Sequence, residues 1–256
     1  MNLLFTELPY YEENIINKIK NLFELNSVEQ EISFYSMFNN FDSYLINILE
    51  GDENRIFYAT CVETEKIVGF ISIKINDTVF LNALVVDKQY SQLQIGSFLL
   101  VNSLSILRKQ FNLSDLEVEV FEKNKKIFSW YLELGMEILN CKYWYDITSY
   151  FKRNGNTNPS VNKNDNVFFQ ISKINKGISE LIYLNKSIAT LIDSKCLVFK
   201  TDIDYNLLQR VISFFNNLEL STVCLVSKRE LALSLIDKSF YLRGALAELK
   251  FFQTPV

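Results

Sequence analysis

The residues whose types and spacing could support chemistry lie between positions 79 and 136. An apolar run at residues 80–86 ends in a polar turn at residues 87–89, which leads into the loop at residues 91–97 and then into apolar residues at helical spacing. The start of a helix presents unpaired N–H groups and a partial positive charge, so it can hold a phosphate group without a basic side chain. Gly96 would let the backbone approach that group closely. The alternative is an ordinary strand-to-helix turn, in which Ser91 could cap the helix.

Two glutamates share one face of the strand predicted at residues 116–121. Glu117 and Glu119 alternate with the leucine and valines of the opposite face. A central strand that is covered on both sides should be apolar on both faces, so the two carboxylates indicate a polar cleft. The chain contains no histidine, and a proton acceptor must therefore be a carboxylate, a tyrosine, a lysine or water. Glu119 is the preferred base and Glu117 the reserve, with a solvated surface glutamate as the alternative.

Positioning these residues requires a strand, a loop, a helix, a second strand and a second helix in succession. This order favours two parallel strands joined by a right-handed helical crossover. The patterns of apolar and turn residues predict the following elements upstream and within this stretch. They are strands at residues 1–7, 55–62, 67–75, 78–86 and 116–121, and helices that open at Pro9, cover residues 33–49, follow residue 91 and cover about residues 125–134.

Two motifs in this stretch resemble the Gcn5-related N-acetyltransferase (GNAT) family. Residues 86–96 are similar to the family's acyl-coenzyme A loop, Val-x-x-x-Tyr-Arg/Gln-x-x-Gly-x-Gly, with Ser91 at the Arg/Gln position and Gln94 at the first glycine. Residues 124–136 are similar to its second motif, Asn-x-x-Ala-x-x-x-Tyr-x-x-x-Gly-Phe, with the spacing of Asn124, Tyr131 and Gly135 kept. The resemblance covers residues 1 to about 152 and implies the α/β (α+β) GNAT fold with a mixed central sheet.

The resemblance also implies a coenzyme site and two catalytic residues. Backbone groups of the first strand would pair with the pantetheine arm, and the amides of residues 92–97 would hold the pyrophosphate. Tyr131 would protonate the departing thiolate, and Glu119 matches the base of ribosomal-protein alanine acetyltransferases in this family. A core aromatic residue is the alternative for Tyr131, and a helix N-cap is the alternative for Asn124. The candidate coenzyme-binding residues are Leu84, Val85, Val86, Ser91, Gln92, Leu93, Gln94, Ile95, Gly96, Ser97 and Asn124.

The implied activity is transfer of an acetyl group from acetyl-coenzyme A to a primary amine, preferably of an amino sugar or an amino acid. Two other functions stay open. The first is a non-catalytic binding module of the same fold, and the second is a transferase of longer acyl chains. We expect no metal, since the cysteines lack paired ligand spacing, and no nucleic acid, since the basic residues are spread out. No membrane segment is expected, the compartment expected is the cytoplasm, and a homodimer is left open.

The rest of the chain is expected to form a second domain. Residues 1–152 would be the acetyltransferase domain, residues 153–166 an Asn-rich linker, and residues 167–256 a small C-terminal α/β domain. Strands are predicted at residues 167–171, 178–184, 196–200 and 222–226, helices at residues 205–218 and 229–236, and one more element at residues 242–252. A degenerate half-copy of an acetyltransferase domain is a further interpretation of this block.

Overall fold

The fold is that of a computed structural model, which describes residues 1–26, 53–91, 93–155, 169–175, 178–192, 196–200, 203–215, 220–233 and 235–250. The helix predicted over residues 33–49, Gln92 and residues 156–166 of the predicted linker lie outside these ranges. Among the described residues, no helix is both long enough and apolar enough to cross a membrane.

The described helices and strands form a mixed α/β fold. The helices are α1 (Glu13–Asn26), α2 (Ile95–Gln110), α3 (Lys125–Glu133), α4 (Thr148–Gly155) and α5 (Tyr205–Phe214). The strands are β1 (Leu3–Leu8), β2 (Asn54–Cys61), β3 (Lys66–Ile75), β4 (Val79–Val86), β5 (Asp115–Phe121), β6 (Glu137–Asp146), β7 (Phe169–Asn175), β8 (Ile178–Tyr183), β9 (Lys186–Ile192), β10 (Cys196–Phe199), β11 (Thr222–Ser227) and β12 (Leu235–Ala245).

The chain divides into two compact units whose bounds differ from the domain bounds read off the sequence. Unit 1 comprises Met1–Ser33, Asn40–Asn140 and Phe240–Val256, and unit 2 comprises Phe34–Asn39 and Cys141–Ser239. The strands β6 and β12 are each divided between the units. Each unit combines segments from different parts of the chain, so the units do not correspond to a single boundary in the sequence. The domain boundary at residue 152 stays a prediction.

Unit 1 is built on strands in the order β1-β2-β3-β4-β5-β12. The pairs from β1 to β4 are antiparallel, and β4 pairs with β5 in parallel, as the crossover through α2 predicts. The apolar face of α2, with Leu99, Leu100 and Leu104 fully buried, packs into the core of this unit. Leu116, Val118 and Val120 of β5 belong to the same core, which confirms the alternation predicted for this strand.

Unit 2 repeats part of this topology in the strand order β6-β11-β10-β9-β8-β7. Its strands β10 and β11 are parallel and are joined through α5, and its own core includes Tyr145, Phe199 and Val211.

Four predictions for the second half of the chain were incomplete or wrong. The helix predicted at residues 229–236 is wrong, because the chain bends there and β12 begins at Leu235. The strand β9 was missed. The segment at residues 137–151 was predicted as strands only, but α4 begins at Thr148 and runs through residues 153–155 of the predicted linker. Of the element predicted at residues 242–252, residues 242–245 form the end of β12, which starts at Leu235, and residues 251–252 lie outside the described ranges.

Candidate active site

The strands β4 and β5 of unit 1 pair over only part of their length and then separate. Their register joins three residue pairs, Val79 with Leu116, Phe80 with Glu117 and Leu81 with Val118, and goes no further. The next residue of β4, Asn82, is skipped in the pairing with β3, where the register shifts between Ser72 and Ile73. Such a bulge bends a strand and increases its twist. Residues 82–86 of β4 and 119–121 of β5 lie beyond this register and do not pair with each other, and we call them the fork.

A loop with a well-defined conformation leads from the fork to α2. Asp87 accepts a hydrogen bond from the Gln89 N–H (2.9 Å) and caps a short 3-10 turn, Lys88–Tyr90, which ends at Ser91. Ser91 therefore caps this turn and not α2, which corrects the capping role considered for it. The N-cap of α2 is Gln94, which has a left-handed backbone (φ 55°, ψ 24°). The family's glycine at this position adopts that conformation at no cost, whereas a non-glycine residue pays about 1–2 kcal/mol.

The first turn of α2 is suited to an anion. The Gln94 side chain makes no capping hydrogen bond, and the first turn carries no acidic residue. By helix geometry, the N–H groups of Ile95, Gly96 and Ser97 have no partner within the helix. A methyl group added at Gly96 would lie 3.8 Å from both Leu84 Cδ2 and Val86 Cγ2. This distance places the helix start directly beside the β4 side of the fork.

A second glycine, Gly69 of β3, sets how closely α2 approaches the sheet. A methyl group there would lie 2.9 Å from Leu99 Cδ1, 3.1 Å from Ile95 Cγ2 and 3.1 Å from the Val85 carbonyl oxygen. A Cβ atom cannot lie 2.9 Å from another carbon atom without a shift, so only glycine at position 69 allows the start of α2 to pack this closely against β3. Gly69 could not be identified from the sequence, because a lone glycine in a strand does not reveal which side chains pack above it.

The helix α3 carries the second motif. Asn124 is its N-cap, but the side chain makes no capping hydrogen bond, so the structure does not show the capping role that was the alternative. Tyr131 is 2% exposed and lies in the core of unit 1. Gly135 has a positive φ of 96°, and the Met136 N–H returns to the Tyr131 carbonyl (3.1 Å). This glycine ends the helix, for which a left-handed residue is typical.

The two glutamates of β5 lie in different surroundings. Glu119 is half-buried and lies in the fork. Glu117 is 6% exposed, and its carboxylate accepts hydrogen bonds from the Tyr241 hydroxyl and from both Nε (2.7 Å) and a terminal nitrogen of Arg243. Burial raises the pKa of Glu117, but the bonds from Tyr241 and Arg243 outweigh it and hold the pKa below the usual range. A carboxylate held in this way is a poor proton acceptor, which favours Glu119 over Glu117 as the base, and the choice of base stays a prediction.

Tyr241 and Arg243 of β12 were missed by the sequence analysis. They follow Glu117 by 124 and 126 residues, and no local pattern connects the strands. The residues from the sequence prediction that do come together are Leu84, Val86 and Gly96, together with Gln94 at the helix start. Leu93 lies in the same loop and is exposed, whereas Ile95 and Val85 are buried. The described residues hold no group of three or more potential metal ligands.

The equivalent position in unit 2 lacks these features. The strand β10 pairs with β11 along all four of its residues, from Cys196 to Phe199, so no fork opens there. The helix α5 is capped by Asp204, whose carboxylate accepts the Leu207 N–H (2.7 Å). A negative charge and an occupied N–H group at the helix start both oppose binding of a phosphate.

Comparison with known proteins gives the family and the fold. The model of the acetyltransferase (GNAT) family matches residues 18–136. No match was found among the curated proteins. Among solved structures, a tandem GNAT protein from the clavulanic acid biosynthesis pathway has a TM-score of 0.63 at 9% identity, covering 95% of this chain and 98% of its own.

Smaller structures match only part of the chain. The PaiA N-acetyltransferase from Thermoplasma acidophilum, solved in complex with coenzyme A, is 20% identical to this chain and has a TM-score of 0.44. The match covers 55% of this chain and 92% of the PaiA chain. The ribosomal-protein-S18-alanine N-acetyltransferase from Escherichia coli is 19% identical, with a TM-score of 0.40 and coverages of 54% and 81%. The family match at residues 18–136, the two motifs and the fork agree, and the chain therefore carries an acetyltransferase domain of the GNAT family.

Proposed function

We propose that the protein transfers an acetyl group from acetyl-coenzyme A to a primary amine of a small molecule, an amino sugar or an amino acid. The observation that carries this proposal is the direct contact between the fork and the uncapped start of α2. An elongated thioester with a pyrophosphate at one end needs both an extended slot and an anion site beside it. A methyl group added at Gly96 would lie 3.8 Å from Leu84 and Val86, so the anion site at the start of α2 lies beside the slot along β4.

The coenzyme would lie along β4. Since the pairing of β4 with β5 ends at Leu81, the backbone groups of Leu84, Val85 and Val86 can pair with the amides of the pantetheine arm. The N–H groups at the start of α2 would bind the pyrophosphate. Residues 93–97 supply this part of the site, Gln92 lies outside the described residues and stays a prediction, and Asn124, at the N-cap of α3, would contact the arm from the other side.

The transfer itself needs one base and one acid. Glu119, directly or through water, would take a proton from the acceptor ammonium. The amine nitrogen then attacks the thioester carbonyl carbon, a C–N bond forms, and the C–S bond breaks as the tetrahedral intermediate collapses. Tyr131 would donate its phenolic proton to the departing thiolate, as a general acid does.

The choice of acceptor follows from the proton that must be removed first. An α-amine or a sugar amine loses its proton more readily than the side chain of a lysine, whose ordinary pKa is about 10.4. A small-molecule amine is therefore preferred to a lysine in a protein.

Calorimetric titration with acetyl-coenzyme A tests the proposal, followed by a screen of amines with the wild-type protein, Tyr131→Phe and the control Tyr58→Phe. Tyr58 lies on β2, which β3 separates from β4. We expect all three proteins to bind the coenzyme with similar affinity. Acetylation by Tyr131→Phe should be slower by a factor of about 10²–10⁴, the usual contribution of a general acid, while the control keeps its rate. Unchanged turnover in Tyr131→Phe would remove Tyr131 from the mechanism.

A binding module of the same fold is the second candidate. The left-handed Gln94 at the N-cap of α2 favours it, because the family motif has glycine at this position. If the wild-type protein does not bind acetyl-coenzyme A, this candidate replaces the enzyme. Tighter binding of longer acyl thioesters than of acetyl-coenzyme A would instead favour transfer of a longer acyl chain.

A further inference from the structure

The strand β12 lies next to β5 and continues the face on which the glutamates stand. The Leu246 N–H donates to the Ser114 carbonyl (2.9 Å) at one end of this contact. Carried along two antiparallel strands, that register places Arg243 opposite Glu117 and Tyr241 opposite Glu119. The side-chain contacts agree with this register, since Tyr241 and Arg243 both donate hydrogen bonds to Glu117. A residue directly across from the proposed base is therefore supplied from far along the chain.

Tyr241 touches both strands at the base of the fork. Its hydroxyl donates to Glu117 of β5, and its ring stacks on Phe80 of β4, with the centroids 6.0 Å apart and the planes 21° apart. Phe80 and Glu117 face each other in the penultimate pair before β4 and β5 separate. Arg243 holds the same carboxylate from the other side. Tyr241 thus bridges the two strands at the point where they begin to diverge.

We infer that Tyr241 is a positioning residue of the acetyl-transfer site, which fixes the opening of the fork and thereby the distance between the thioester on β4 and Glu119 on β5. This inference rests on the proposed function, because it places the pantetheine arm in the fork. Burial and the bond to Glu117 raise the pKa of Tyr241, so its hydroxyl stays a donor at any pH at which the protein is active. An error of about 1 Å in such a distance can cost about a hundredfold in rate.

Two ligands separate the fork from the anion site. Acetyl-coenzyme A occupies both, whereas ADP carries only the nucleotide and the pyrophosphate and therefore reports on the start of α2. The variants are Tyr241→Leu, which removes the ring and the hydroxyl, Tyr241→Phe, which removes the hydroxyl alone, and the control Tyr58→Phe. Calorimetry gives the two dissociation constants, and thermal unfolding checks that each variant is folded.

We expect Tyr241→Leu to bind acetyl-coenzyme A about tenfold more weakly, the loss of one well-placed aromatic contact and its hydrogen bond. Binding of ADP should stay within about twofold of the wild type, because the start of α2 is unchanged. Tyr241→Phe keeps the ring and loses only the hydrogen bond, so it should bind the thioester about threefold more weakly than the wild type. With an active amine, kcat of Tyr241→Leu should fall by about ten- to a hundredfold, while the acceptor KM changes less.

Equal weakening of both ligands in Tyr241→Leu would overturn the inference, since it would show a general loss of structure, and so would unchanged binding of acetyl-coenzyme A. If Tyr241→Leu does not fold, the same comparison is made with Tyr241→Phe, where a loss confined to the thioester of about threefold supports the inference and none refutes it. If the wild-type protein binds neither ligand, the proposed function fails, and the inference fails with it. The wild type thus tests the function, and the variants test the role of Tyr241.

Discussion

Gly96 and Gly69 both lie beside the start of α2, but replacing each with alanine should change the stability of the unliganded protein in opposite directions. Gly96→Ala adds a methyl group that meets Leu84 and Val86 only at 3.8 Å, an ordinary contact. Alanine is favoured over glycine within a helix by about 0.5–1 kcal/mol. The unliganded protein should therefore gain slightly in stability, and its melting temperature should rise by about 1–3 °C.

Binding of acetyl-coenzyme A should change in the other direction. The methyl group of Gly96→Ala occupies the space through which a phosphate oxygen would reach the N–H groups of the first turn. Loss of one hydrogen bond to a charged group weakens binding by about 1.5–3 kcal/mol, which corresponds to a dissociation constant larger by a factor of about 10–100. A variant that is more stable alone but binds less tightly cannot be explained by damage to the fold.

Gly69→Ala is the matched comparison, because its methyl group collides with the protein and not with the ligand. The contacts of 2.9 Å with Leu99 and 3.1 Å with Ile95 and the Val85 carbonyl force α2 away from β3. Overpacking of this kind costs about 1–3 kcal/mol, so the melting temperature should fall by about 3–10 °C and coenzyme affinity should fall with it. Thermal unfolding with and without acetyl-coenzyme A measures all of these quantities. Wild-type affinity in Gly96→Ala would refute the placement of the pyrophosphate at this helix.

Three further predictions concern other parts of the chain. The fold lowers the pKa of Glu117, so its ion pair stabilises the protein above the unfolded pKa of about 4.3 and loses that effect as the pH falls below it. Glu117→Gln should therefore lower the free energy of unfolding by about 2 kcal/mol at pH 7 in chemical denaturation, and the gap between variant and wild type should close toward pH 3. A gap that does not change with pH would contradict this. Calorimetry should give one acetyl-coenzyme A per chain, because Asp204 caps α5 in unit 2; a stoichiometry of two would be inconsistent with that. Burial raises the pKa of Cys196 and of Cys224 to about 12, so an alkylating reagent at pH 8 should leave both thiols unmodified in the native protein, and labelling before unfolding would count against their burial.

The sequence was most informative where structure is decided locally. The strand β5 and the helices α2 and α3 follow from apolar periodicity, and Gly135 follows from the demand for a left-handed residue at a helix end. The strand β9 was missed because its hairpin with β8 turns through Leu184 and Asn185, both with positive φ (48° and 62°). Such turns usually carry Asn-Gly or Asp-Gly, and a leucine in this position gives no turn signal.

Pairing between distant segments could not be read from the sequence. The segment predicted as a helix at residues 229–236 bends instead, since the Leu231 N–H donates to the Tyr145 hydroxyl (2.6 Å) and Ser227 bonds to the backbone of Arg229. These tertiary bonds override a weak local preference for helix. The ion pair of Glu117 with Arg243 depends in the same way on which strand lies beside β5.

The placement of β12 in unit 1 has a consequence for synthesis of the protein on the ribosome. The strand β5 ends at Phe121, but the strand that covers its other edge ends at Ala245. At about 5–20 residues per second, a nascent chain would carry β5 for roughly 6 to 25 seconds before its neighbour is made. During that time an open sheet edge is exposed to other chains. A premature stop late in the message would therefore damage the acetyltransferase domain at the beginning of the chain, although every residue of its two motifs had been translated.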